Sequence, residues 1–213
     1  MDPGRPGQGS LQGLRRGIRQ AAVKKAAAPG IVVKPLSSGL WPDLETLFGP
    51  AGACSGCWCL WWNVKRAEFD ALGSKGRKKT FKEMVEAGGV HGLIAYADGR
   101  PAAWVRLGPR EDFPVLQRSP VLKPLDDEPV WSIVCFFTGA AYRGRGLTKL
   151  LIAEACAYAR SKGARIIEAY PKDESLKPVS PLEAFTGIMR VFDTLGFNEA
   201  ARRKNRPIMR KEL

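Results

Sequence analysis

The residues best placed to do chemistry are Arg143-Gly144-Arg145-Gly146-Leu147-Thr148, between an apolar run and an amphipathic one. Two glycines at a strand-to-helix junction let the backbone approach a ligand closely, and a helix start presents unpaired N–H groups to an anion. The two arginines add charge-assisted hydrogen bonds. Such a turn suits a pyrophosphate. It is not a dinucleotide fingerprint, which begun at Gly144 requires glycine where Lys149 stands. Nor is it a Walker A loop, because Leu147-Thr148 follows Gly146 in place of Lys-Ser/Thr.

A second cluster is Cys54, Cys57 and Cys59, interleaved with Trp58 and followed by Trp61 and Trp62. Three thiols in this spacing could hold zinc with a fourth ligand, or exchange electrons, or pack as small polarizable groups among aromatics. The other two cysteines, Cys135 and Cys156, fall on a core strand and a helix. Five cysteines, an odd number, argue against a secreted disulfide framework and for reduced thiols. His91, the one histidine, precedes a hairpin strand and reads as structural.

The elements that must carry these groups follow from periodicity. Ile31 to Pro35 reads as a strand, and Trp41 to Phe48 as a helix opened by Pro42 and Asp43. Helical segments follow near Val64 to Leu72 and Thr80 to Ala87. Leu93 to Tyr96 and Ala102 to Leu107 form a hairpin around Asp98-Gly99. Residues 108–129 hold five prolines and form a long connection of the kind that often serves as a lid. Val130 to Thr138 is a strand buried on both faces. Leu147, Leu150, Leu151, Ala155 and Tyr158 share one face of a helix that stops at Gly163. Arg165 to Tyr170 is a strand, Ile188 to Leu195 a helix ended by Gly196, and two short strands close the chain near Phe197 to Ala201 and Pro207 to Arg210. The expected fold is α/β (α+β), with a mixed sheet flanked by helices.

With 45% hydrophobic residues in 213, the chain can bury a core, so global disorder is excluded. No stretch reaches the roughly 20 apolar residues of a membrane span, and a cytoplasmic location without membrane contact is expected. The formal net charge is +13, and residues 1–30 hold six basic residues against Asp2 alone. That segment reads as a basic tail, with residues 31–213 as the domain. Such a balance suits a polyanionic partner, whether a phosphorylated cofactor or nucleic acid.

The segment Val130 to Pro171 resembles the central motif of the GNAT superfamily of acetyltransferases, Arg/Gln-x-x-Gly-x-Gly/Ala. Arg143 and Gly146 match, and Thr148 stands at the sixth position. The order of elements and Gly196-Phe197 extend the likeness over residues 31–213. It is similar in particular to a bacterial subgroup with Cys57-Trp58-Cys59, Cys135-Phe136-Phe137 and Glu168-Ala169-Tyr170-Pro171. The resemblance implies acetyl-CoA as co-substrate. Phe136, Phe137 and Thr138 would pair with the pantetheine arm, and Arg143, Gly144, Arg145, Gly146, Leu147 and Thr148 would bind the pyrophosphate. A small-molecule amine would attack the thioester directly. Cys57, Trp58, Cys59 and Trp61 would line the acceptor site, with no metal.

The resemblance places a proton-donating tyrosine where this chain has Phe192. Tyr170 is the nearest substitute as acid, and Glu168, two residues earlier on the same strand face, stands as base. Two other readings stay open. Arg202-Arg203-Lys204 and the basic tail would fit a transferase acting on aminoacyl-tRNA, and Phe192 would fit a protein that holds acetyl-CoA without turnover.

Overall fold

The computed structural model describes Met1 and residues 30–213; residues 2–29 of the expected basic tail lie outside the described residues. Seven strands form one sheet in the order β1-β2-β3-β4-β5-β7-β6. They are β1 (Ile31–Pro35), β2 (Gly92–Ala97), β3 (Arg100–Pro109), β4 (Trp131–Thr138), β5 (Ile166–Ala169), β6 (Asn198–Arg203) and β7 (Arg206–Glu212). All neighbours are antiparallel except β4 and β5. The β2–β3 turn is the expected one, with Asp98 at φ 50° and Gly99 at φ 76°, as a two-residue hairpin loop requires.

Helices α1 (Trp41–Phe48) and α2 (Arg66–Glu86) pack Trp41, Leu44, Phe69 and Phe81 on one face of the sheet, with Trp58, Trp62 and Trp104. On the other face α4 (Leu147–Ser161) and α5 (Met189–Asp193) bury Leu147, Leu151, Ile152, Ala155 and Phe192. The two helical segments expected between residues 64 and 87 meet end to end within α2, separated by a break at Gly73, which takes φ 57°. A short α3 (Pro114–Arg118) interrupts the proline-rich connection. Among the described residues no helix is long and apolar enough to cross a membrane.

One departure from regular pairing shapes everything that follows. β4 and β5 pair only from Trp131↔Ile167 to Ile133↔Ala169, after which β5 ends. At the same point β4 carries a bulge against β3: Arg106 faces Cys135, but Leu107 faces Ile133, so Val134 is the extra residue. Beyond Ile133 the edge of β4 turned away from β3 has no strand beside it among the described residues. The Val134 carbonyl is satisfied instead by the indole N–H of Trp62, at 2.9 Å.

Candidate active site

Where β4 and β5 part, a cavity of about 690 Å³ opens along Phe136, Phe137 and Thr138 and runs to Arg143, Gly144, Gly146, Leu147 and Thr148. Gly144 and Gly146 both sit at φ 75°, the left-handed region that glycine enters without strain. A Cβ at either would meet nothing within 4 Å, so the turn needs glycine for its backbone path, and the space above it is open. Gly146 caps α4, no side chain bonds the first N–H groups of the helix, and Arg143 is tied by its Nε to the Thr138 carbonyl at 3.4 Å. Lys149 and Arg190 add charge to the lining. Arg145 does not line the cavity; its guanidinium lies 5.4 Å over the Tyr142 ring.

The far wall comes from an excursion, residues 173–187, pinned at its base by Lys172 N–H to the Gly187 carbonyl and Met189 N–H to the Lys172 carbonyl, each 2.9 Å. It brings Pro181, Ala184 and Phe185 onto the groove. Sequence periodicity gave no sign of this wall, because the segment has neither helical nor strand alternation.

A second cavity, about 590 Å³, adjoins the first and shares Cys54, Phe136, Phe137 and Phe185 with it. Cys57, Cys59 and Trp61 line it, together with Cys135, Phe69, Asp70, Arg66 and Arg77. Trp58 does not. It is buried beneath α1, stacked on Trp41 at 5.9 Å and tilted on Phe48 at 5.6 Å. The backbone here is strained: Ala53, Ser55, Trp58 and Cys59 all hold φ between 46° and 61°. Each such non-glycine residue costs about 1–2 kcal/mol, and strain of this kind gathers at functional sites.

Burial pushes the Cys57 thiol up to about 12 and raises Cys54 as well, with the Cys59 charge adding to both. Cys59 moves the other way. The neighbouring Cys135 thiol, the Arg106 guanidinium and the indole N–H of Trp104 hold it below the ordinary thiol range against the cost of burial. Cys135, whose thiol lies 3.8 Å from the Phe136 carbonyl, is raised. Among the described residues no three His, Cys, Asp or Glu side chains converge as metal ligands would.

Glu168 and Tyr170 share one face of the sheet as expected, but neither lines either of these cavities. Glu168 is 1% exposed. Its Oε2 accepts from Tyr170 Oη at 2.8 Å and Arg110 Nη1 at 3.3 Å, and its Oε1 accepts from Arg210 Nη2 at 2.7 Å. Tyr170 also bonds Ser132 Oγ at 2.8 Å, and burial followed by the Glu168 charge raises its hydroxyl. Both groups are engaged in a buried ion-pair network apart from the two cavities. The same network corrects the lid expected of residues 108–129. Arg110 donates to the Leu122 carbonyl, Arg210 holds Asp126 at 2.6 Å and Arg203 donates to the Pro124 carbonyl at 3.2 Å. That connection is clamped down, and none of its residues lines either cavity. Of the Arg202-Arg203-Lys204 cluster, Arg202 is paired to Asp173 and Glu199, and Arg203 donates to the Lys123 and Pro124 carbonyls. His91 is structural in its contacts, 3.1 Å from Tyr158 Oη and packed on Trp131.

Residues 58–177 match the sequence model of the Acetyltransferase (GNAT) family, more than half of the chain. The chain belongs to the GNAT family. No curated protein matches it in sequence. Solved structures with the same fold include the PaiA N-acetyltransferase of Thermoplasma acidophilum in complex with coenzyme A, at 17% identity and TM-score 0.50, covering 86% of this chain and 99% of that one. YncA of Salmonella typhimurium with acetyl-CoA is 14% identical at TM-score 0.50, covering 86% and 94%. A GNAT-family acetyltransferase of Listeria monocytogenes is 13% identical at TM-score 0.52, covering 86% and 95%. Identities this low show a shared fold alone. The thiol-lined second cavity is read from this chain's own residues.

Proposed function

We propose that this protein moves an acetyl group from acetyl-CoA to an amine of a small molecule by direct attack, in the cytoplasm. The observation that carries the reading is the continuous groove from the open edge of β4 to the N-terminus of α4, joined through a shared wall to an apolar cavity. A pantetheine arm carries amides that fit the unpaired edge of β4 along Phe136 to Thr138. The pyrophosphate fits the free N–H groups of Leu147 and Thr148 beside Arg143. The thioester then falls near the bulge, where a backbone N–H can stabilise the developing oxyanion. The amine enters from the second cavity, whose aromatic walls and thiols suit a flat apolar body.

Phe192 cannot give a proton to the departing thiol. It is wholly buried against Phe136 and Phe197, at 6.2 and 5.1 Å. A thiol pKa of about 8.5 makes the thiolate a tolerable leaving group, so transfer does not require that acid. The test is a panel of small amines with acetyl-CoA, read by release of free thiol. Amine-dependent release by the wild type, lost in Arg143→Glu together with acetyl-CoA binding, supports the reading. Thiol release that no amine accelerates would sink it.

A further inference from the structure

We propose that Cys59 is the catalytic base of this protein: as a thiolate on the floor of the second cavity, it takes the proton from the acceptor ammonium. This rests on the acetyl-transfer reading above. A lysine-like amine is mostly protonated at neutral pH and must lose a proton before it can attack. With Glu168 locked between two arginines, that proton needs another destination.

The geometry supplies one. Gly92 has no side chain, and a Cβ there would stand 2.0 Å from the Trp104 ring, so this glycine is what lets Trp104 lie where it does. From that position its Nε1–H donates to Cys59 Sγ at 3.2 Å. Beside it, Arg106 is 1% exposed, and its Nε and Nη1 have no hydrogen-bond partner among the described residues. A buried guanidinium without an anion is costly. Arg106 faces Cys135 in register across β3 and β4, and the charges acting on it are those of Cys59 first, then Asp112 and Cys135. A thiolate at Cys59 completes this arrangement, with the Trp104 indole N–H as its donor. The groups facing Cys59 are thus Arg106 and Trp104 from β3, Cys135 from β4, and Cys57 and Cys54 from its own loop, both of which stay protonated.

Location decides between the roles open to such a thiolate. Cys59 lines the second cavity and not the cofactor groove, so it meets the amine. The one carboxylate in that lining, Asp70, is paired to Arg66 at 2.7 Å. A base that titrates near the working pH combines the right protonation state with useful driving force. The step balances: the ammonium N–H proton passes to Cys59 sulfur, giving a neutral amine and a thiol. The amine then attacks the acetyl carbon, the carbon–sulfur bond of acetyl-CoA breaks, and the coenzyme thiolate leaves with the second amine proton. Cys59 returns its own proton to solvent through the open cavity.

The experiment has two arms on the full chain. The first compares the ultraviolet absorbance of thiolate in wild type and Cys59→Ser across pH, which needs no acceptor. The difference should rise at a lower pH than the roughly 8.5 of a free thiol. A midpoint at or above that value overturns the proposal. The second takes any amine found active in the panel. Cys59→Ser should lower kcat by about 10²-fold and remove the acidic limb of the rate profile, with acetyl-CoA binding unchanged. Asp70→Asn should keep that limb. If Cys59→Ser turns over at the wild-type rate, or Asp70→Asn is the variant that loses the limb, Cys59 is not the base. A wild type that acetylates no amine removes the acetyl-transfer reading, and this proposal with it, whatever the absorbance shows.

Discussion

Replacing Glu168 by glutamine separates a structural carboxylate from a catalytic one. The glutamate carries one negative charge between Arg110 and Arg210, and the side chains of Glu168 and Arg110 are 1% and 6% exposed. Removing one member of a buried ion pair typically costs about 3–5 kcal/mol, since the partner's charge stays buried. Arg210 keeps Asp126, and the glutamine oxygen can still accept from one arginine, so the lower end applies. About 3 kcal/mol is a large share of a total near 5–15 kcal/mol. At roughly 2–4 °C per kcal/mol for a chain of this size, the melting temperature should fall by about 6–12 °C. The assay is thermal and urea unfolding of both proteins, with acetyl-CoA binding and amine turnover measured well below the melting temperature. Loss of stability with turnover retained is the expected outcome. A turnover loss of about 10²-fold with an unmoved melting temperature would refute the argument and return Glu168 to the chemistry.

Other outcomes follow from the same geometry. Acetyl-CoA at about 100 times its Kd should stabilise the wild type by roughly 2.7 kcal/mol, and Gly146→Val should lose this shift, because valine resists φ 75°. Purified protein should hold no stoichiometric zinc and should survive a strong chelator; near one zinc per chain with unfolding on chelation would overturn the cavity-wall account of the cysteines. Burial lowers His91 below 6.5, so the folded state favours its neutral form. Stability should therefore fall as pH drops below 6.5 toward the folded value, and His91→Gln should flatten that part of a pH series of unfolding curves. Phe192→Tyr should destabilise by about 1–3 kcal/mol, because the added hydroxyl enters an apolar cluster.

What was legible in the sequence is what is local. The glycine turn, the Asp98-Gly99 hairpin and the apolar face of α4 are each written within a dozen residues, and each appears where the pattern places it. The insertion of β7 between β5 and β6 was not legible, because strand order depends on partners far apart in the chain. The surroundings of Glu168 and Tyr170 were not legible for the same reason. Their neighbours Arg110 and Arg210 are 58 and 42 residues from Glu168, and nothing near Glu168 announces them. The cysteine loop was half legible. Its composition pointed to a pocket wall, but the surroundings that set its thiols apart come from Trp104, Arg106 and Cys135, all supplied by other strands.

Because Phe136, Phe137, Phe185 and Cys54 belong to the walls of both cavities, the two halves of the site are not equally free to change over evolutionary time. A substitution at any of these four alters both cavities at once. Arg66, Phe69, Asp70 and Arg77, all on α2, line the second cavity and not the first. Change in the second cavity has an unobstructed path through that one helix, while the shared wall holds the first constant.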